Sequence, residues 1–327
     1  MTSHPGSVKL VCLNRMKHYF IMLDYASIAA VAAIVREGTF ERGAASLGIT
    51  PSAISQRVRG LEERLGAILI VRGQPCEPTE LGRTLCAHLD RVRLLEHDLA
   101  PSLGRGAAEA DAPMTLRIAV NADSLSTWFP AAIAAFDPGS GITLELTLDD
   151  EARTADRLRA NEVLAAVTND PEPVQGCKTT ALGALQYIAC ATPAFVDRYF
   201  SDGVNAEALA RAPHMRFGRH DTMQARWTRQ AHGIDLTSPI HWVPSTHGLL
   251  DFILAGVGWG MNPAQLIGDH LSSGRLVELQ PTLRLDVKLY WTVARLHAAT
   301  LRRLTTAIQK AAINDLQCSG ASLAEGG

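Results

Sequence analysis

Apolar residues recur at helical spacing from Ala26 onward. The run ASIAAVAAIV over 26–35 puts Ile28, Val31, Ala32 and Val35 on one face, and Gly38 ends the helix that this predicts. Order is expected to begin near Asp24. A short helix follows from Phe40 to Leu47, then a tight turn at Gly48 and Ile49. Thr50 reads as an N-cap with Pro51 at the first helical position, where a fixed φ and a missing N–H cost nothing. The third helix runs to Leu65, with Ile54, Val58, Leu61 and Leu65 on its apolar face and Ser52, Ser55, Gln56 and Arg59 on its polar one. Helix, glycine-containing turn, helix is the arrangement that delivers a recognition helix to a DNA major groove. The apolar run AILIVRG over 67–73 predicts a strand that would form a wing. Thr79 and Glu80 then open a long helix in which Leu81, Leu85, His88, Val92, Leu95 and Leu99 alternate at spacings of four and three, a heptad-like seam. Pro101, Gly104 and Gly106 stop it.

From Thr115 the pattern changes. Apolar runs at 116–120, 142–148, 163–168, 187–191 and 289–294 predict buried strands, and helices are expected at 125–136, 154–160, 193–199, 222–232, 247–255 and 298–316. That alternation argues an α/β class with helices packed on sheets, and about 200 residues are enough for two subdomains. The expected layout is an N-terminal extension over 1–22, a winged helix-turn-helix over 23–82, a linker helix and hinge over 79–113, and an α/β domain over 114–317.

Composition narrows the classes. The chain has 327 residues, 47% hydrophobic and 20% charged, with a formal net charge of −2, so no global basic field advertises nucleic acid. Residues 24–100 hold nine Arg, no Lys and ten Asp or Glu, a net of −1. The support for DNA is local: Arg57, Arg59, Arg64 and Arg72 gather around the polar face of the third helix, where phosphates would lie. Gln56 can make paired hydrogen bonds to adenine. Cys12, Cys76, Cys86, Cys177, Cys190 and Cys318 form no CxxC pair, which suits a reducing cytoplasm. No apolar run approaches the ~20 residues that span a bilayer, so no membrane partner is expected. No close His/Cys cluster has metal spacing, and GVGWG over 256–260 is a turn-and-strand feature rather than a phosphate loop. No metal, no cofactor and no catalysis are expected.

The segment FERGAASLGITPSAISQRVRGLEERLGAILIVRGQPCEPTELG over 40–82 resembles the N-terminal signature of LysR-type transcriptional regulators along its whole length. The matching positions are Ala44 and Ala45, the run Thr50 to Gln56, Leu61–Glu62, Leu65–Gly66, Arg72, and Pro78, Thr79 and Gly82. The stretches AVNADSLSTW (119–128), DDEARTADRL (149–158), LGALQY (182–187) and LDVKLYW (285–291) are similar to the ArgP/LysG branch, which regulates lysine and arginine export. The 218–240 region fits only loosely, and residues before Met22 are unmatched. The resemblance implies a winged helix-turn-helix, a linker helix and a two-subdomain effector domain resembling a type II periplasmic binding protein. It implies double-stranded operator DNA as a partner, contacted by Thr50, Ser52, Ser55, Gln56, Arg57, Arg59 and Arg72. It implies a homodimer or homotetramer assembled on the long helix through Leu81, Leu85, Val92 and Leu95, and RNA polymerase as an indirect partner.

For the effector, Asn121, Asp123 and Ser124 follow a strand and open a helix. Residue types alone read there as an ordinary cap; the functional reading gives a carboxylate free N–H groups with Ser124 and Thr127 as added donors, and Asp123 as acceptor for an ammonium. Asp149, Asp150 and Glu151 read either as a solvated loop or as facing a basic side chain. The resemblance adds Thr246 and Asn262 from the second subdomain, and Thr168 ends a strand that returns toward the hinge. The resulting expectation is a regulator of a basic-amino-acid exporter responsive to L-lysine or L-arginine. Two alternatives stay open: a LysR-type regulator of another gene set with another effector, and a non-DNA-binding receptor or enzyme on the same α/β scaffold.

Overall fold

The computed structural model describes residues 23–104, 114–136, 142–148, 154–160 and 162–317, which fall into two compact units dividing between Val92 and Arg93. The expected extension 1–22, most of the hinge, and Asp149, Asp150 and Glu151 lie outside the described residues.

The first unit is built from α1 (Tyr25–Glu37), α2 (Phe40–Ser46), α3 (Pro51–Leu65), the antiparallel pair β1 (Ile70–Val71) and β2 (Glu77–Pro78), and the start of α4 (Glu80–Leu99). Each of the first three helices is capped by a side chain: Asp24 accepts from the Ala26 and Ser27 amides, Thr39 from Arg42, and Thr50 from Ala53. Ile28, Val31, Ile34, Ile54, Val58 and Leu61 form one core. The wing strand is shorter than the apolar run suggests. Glu62 accepts the Leu69 amide at 2.8 Å, and the Thr79 hydroxyl donates to the Ile68 carbonyl at 2.9 Å, so side chains satisfy groups that a longer ladder would have used. Gly82 lies against this corner, where a Cβ would stand 2.2 Å from the Leu69 carbonyl oxygen. That contact is why the turn into α4 needs glycine.

Helix α4, the expected linker helix, begins in the first unit and ends in the second. Leu85 and Leu89 join the helix-turn-helix core. This corrects the seam: Leu85 is only 7% exposed and is used up inside its own unit. At that turn the stripe picked out by the heptad spacing faces the unit's own core. Leu81, Leu95 and Leu99 are exposed, and Val92 is half-buried.

The second unit contains β3 (Met114–Val120), α5 (Ala122–Ser126), α6 (Phe129–Phe136), β4 (Ile142–Leu148), α7 (Thr154–Arg159), β5 (Ala165–Thr168), β6 (Cys177–Ala191), α8 (Pro193–Tyr199), α9 (Ala206–Arg211) and β7 (His214–Arg216). It continues with α10 (Met223–His232), β8 (Ile240–Trp242), α11 (Thr246–Leu254), β9 (Gly260–Pro263), α12 (Ala264–Ser272), β10 (Val277–Glu278), β11 (Leu285–Ala294) and α13 (Ala299–Asp315). The main sheet has the order β10-β6-β11-β5-β3-β4, with β9 also on β6. Strands β4, β3 and β5 are parallel; β11 runs against them, and β6, antiparallel to β11, runs with them again. Strand β6 is 15 residues long, not the five-residue run expected from its apolar end. Its first ten residues, CKTTALGALQ, are too polar and small to read as a buried strand. Gly183, at φ +133°, lies beside the bulge where β6 and β11 change register. The two lobes therefore share one sheet and one main core, which includes Trp128, Trp227, Trp259 and Trp291. A smaller core of Ile188, Met215, Leu249, Ile253 and Ile267 belongs to the second lobe.

His214 is fully buried on β7. Arg216 Nε donates to its Nε2 at 3.2 Å, so Nδ1 carries the ring proton toward Ser238 Oγ at 2.8 Å. Burial first, then the charges of Arg216 and His241, push its pKa down to about 4. The unfolded chain thus binds the proton more tightly, and stability present above the ordinary value of 6.5 is lost as pH falls toward 4. The expected loss is up to about 3 kcal/mol. Urea unfolding of the full chain followed by tryptophan fluorescence should show it. His214→Gln, which keeps a donor and an acceptor, should flatten that slope; an unchanged slope would assign the effect elsewhere.

Candidate functional site

The polar face of α3 is free. Ile54, Val58 and Leu61 are buried, and Ser52, Gln56 and Arg59, spread over about 60° of the helix, occupy the opposite face. Arg57 is exposed on the flank. Neither Arg57 nor Arg59 pairs with an acid among the described residues, so both guanidinium groups remain available. Two expected contacts are otherwise engaged: the Thr50 hydroxyl caps Ala53, and Ser55 donates to the Pro51 carbonyl at 2.8 Å. Arg72, exposed at the end of β1, lies over the Phe40 ring at 5.1 Å.

In the second unit, β3 and β5 are parallel neighbours, so Asn121 and Thr168 emerge at the same carboxyl edge of the sheet. That edge is where open α/β sheets bind ligands. Asp123 stands there on α5. One of its carboxylate oxygens accepts from Tyr187 on β6 at 2.5 Å and the other from Thr246 at the start of α11 at 2.7 Å. Burial raises its pKa above the usual 3.8; the two hydroxyls pull the other way, and the charge of Asp221 adds to the rise. Among the described residues no Lys, Arg or His forms an ion pair with it. Asp221 itself accepts from the amides of Phe217 and Met223, which fixes its direction.

The other expected effector residues divide. Asn121 caps Ser124, and the buried Ser124 hydroxyl accepts from Trp128. Thr127 donates to the Asp123 carbonyl at 2.6 Å, an intrahelical bond. Thr168 accepts from the Asp170 amide, which leaves its own hydrogen to donate. Asn262 is placed elsewhere. It pairs with Ile188 on β9–β6, one residue past Tyr187, and so points to the opposite face, where it donates to Cys190 at 3.5 Å. Burial pushes that thiol up to about 12, which makes it inert. Tyr187 and Asp221 were missed: a tyrosine in an apolar strand reads as core, and Asp221 lies in a region with no clear pattern.

A family model described as a bacterial regulatory helix-turn-helix protein of the lysR family matches residues 26–83, and a LysR substrate binding domain model matches 110–312. The chain belongs to the LysR family of transcriptional regulators. It is of the ArgP/LysG type. The HTH-type transcriptional regulator ArgP of Pseudomonas fluorescens is 43% identical over 270 residues, 83% of this chain and 90% of that protein. The crystal structure of ArgP from Mycobacterium tuberculosis is 36% identical, with a TM-score of 0.76, covering 91% of this chain and all of that one. Full-length LysG from Corynebacterium glutamicum with bound effector Arg is 37% identical, with a TM-score of 0.66, covering 90% of this chain and 100% of that one. These relatives are regulators, not enzymes, so the LysR-type reading replaces the receptor or enzyme alternative. Among the described residues no helix is long and apolar enough to cross a membrane.

The free face of α3 leads to a test on DNA. Gln56→Ala should lose about 1–3 kcal/mol of discrimination at one base pair of the operator. Arg57→Ala should weaken all sequences alike and flatten the salt dependence. Gel-shift titrations of operator and mismatched DNA at several salt concentrations read both effects; unchanged selectivity in Gln56→Ala would remove that residue from base reading.

Proposed function

We propose that this LysR-type regulator senses L-lysine or L-arginine at Asp123 and controls transcription of a basic-amino-acid exporter. The observation that carries the reading is the Asp123 carboxylate, held by Tyr187 and Thr246 with no ion-pair partner among the described residues. Taking a carboxylate out of water is unfavourable unless a positive charge or protonation compensates. A basic amino acid brings two cations. One ammonium would pair with Asp123, and Asp221, whose charge already acts on Asp123, is the second acid available to the ligand. The Thr168 hydroxyl at the same strand edge is a donor for the ligand carboxylate. The bound Arg of the Corynebacterium glutamicum relative supports a cationic effector.

On this reading α3 carries Ser52, Gln56, Arg57 and Arg59 to double-stranded operator DNA, with Arg72 beside it on the wing. The chain works in the cytoplasm as a homodimer or homotetramer. Leu81, Val92, Leu95 and Leu99 on α4 supply the apolar stripe for the partner helix, with Leu85 withdrawn into the core. Two recognition helices one turn of DNA apart would match a two-fold operator.

Asp123→Asn removes the charge and keeps the shape. Calorimetric titration should show lysine or arginine affinity falling by at least ~1.5 kcal/mol, the scale of a charge-assisted hydrogen bond. Operator binding without ligand should survive. Wild-type affinity should also rise as pH climbs above the ordinary carboxylate value, because the raised pKa of Asp123 means that binding a cation expels a proton. Equal affinities in wild type and variant, with folding intact, would leave Asp123 as part of a helix start and nothing more.

A further inference from the structure

The last turn of α4 lies in the second unit, and Asp98 in it performs a task for another helix. Helix α13 begins at Ala299 after Ala298, a residue with no side chain to cap it. The missing acceptor comes from 202 positions earlier in the chain. Both Asp98 carboxylate oxygens lie 3.2 Å from the Thr300 amide, and Oδ1 accepts from the Thr300 hydroxyl at 2.6 Å. A carboxylate in the last turn of its own helix opposes the helix dipole; at the first turn of α13 it complements it. Asp98 is thus wrongly charged for α4 and rightly charged for α13. The packing agrees. Thr300 is 2% exposed, and Leu94, one turn earlier, is fully buried in the same core as Leu301, Leu304 and the α6 residues Phe129 and Phe136. Both ring nitrogens of His97 are shut away from solvent with no partner among the described residues, so that side of the turn is covered as well.

We propose that Asp98 is a positioning residue that fastens the end of α4 to the start of α13, so that residues 94–99 move as part of the effector domain. The joint bypasses the chain that follows α4. A shift of α13 and α6 is then delivered directly to α4 and along it toward Glu80. The consequence for effector response rests on the Asp123 reading above; the joint itself does not.

Hydrogen exchange of the full-length protein tests the joint without any ligand. In wild type the Thr300 amide and the amides of 94–99 should exchange slowly, unlike a fraying helix end. Asp98→Ala should speed both at least about tenfold, and Asp98→Asn, which still accepts from Thr300, should stay near wild type. Fast exchange of these amides in wild type overturns the proposal even if Asp98→Ala fails to fold, and so does equal exchange in wild type and Asp98→Ala. The functional arm measures operator affinity with and without L-arginine or L-lysine. Asp98→Ala should keep calorimetric binding of the amino acid and lose its effect on operator affinity, and Asp98→Asn should keep both. An intact effect in Asp98→Ala contradicts the transmission role. Absence of amino-acid binding in wild type would count against the Asp123 reading and leave the exchange result to decide the joint.

Discussion

A half-buried carboxylate with no ion-pair partner among the described residues constrains the effector domain. Asp123 sits at the carboxyl edge of the parallel strands, and its two oxygens are held by hydroxyls from a strand and a helix distant in sequence. Bringing these together requires β6 to run from the β5–β11 side of the sheet into the second lobe, and α11 to start opposite α5. The long β6–β11 ladder makes this possible, and the shared core of the two lobes keeps it in place. The hydroxyls orient the carboxylate but do not neutralise it. On the proposed reading, a cationic ligand would complete the site.

The same economy appears at the other end of the domain. Helix α13 lacks its own cap and borrows Asp98 from α4. In the first unit Glu62 and Thr79 serve backbone groups around Ile68 and Leu69 that the short wing leaves unpaired. In each case a polar side chain satisfies a backbone group far from it in sequence and fixes the junction between two elements. These junctions define where α4 starts and where it ends.

Much of this was legible in the sequence because local rules decided it. Thr50 caps its helix as its position suggested, and Ile54, Val58 and Leu61 on the apolar face of α3 are buried; in α1 Ile28 and Val31 are buried as expected, but Ala30, Ala33 and Ile34 take the core places expected of Ala32 and Val35, which are half-buried. The strand at 142–148 and the helix at 193–199 lie where the patterns put them. What escaped depends on tertiary context. Leu85 keeps heptad register but is buried by its own domain, which no one-dimensional period can reveal. Asn262 was placed by resemblance at the effector site, yet strand alternation turns it to the face opposite Tyr187. Tyr187 looked like core because most of it is core; only its hydroxyl reaches Asp123. Ser124 is buried at that helix start, where its hydroxyl accepts from Trp128.

The claim on which the account turns is that the charge at Asp123 selects a cationic amino acid. A thermal-shift series of the purified full-length protein against all the common amino acids tests it most directly, since a ligand that prefers the native state raises apparent stability. The account predicts a rise in melting temperature with L-lysine or L-arginine that Asp123→Asn abolishes, and none with neutral or acidic amino acids. Stabilisation by an acidic or apolar amino acid, with none by lysine or arginine, would contradict it.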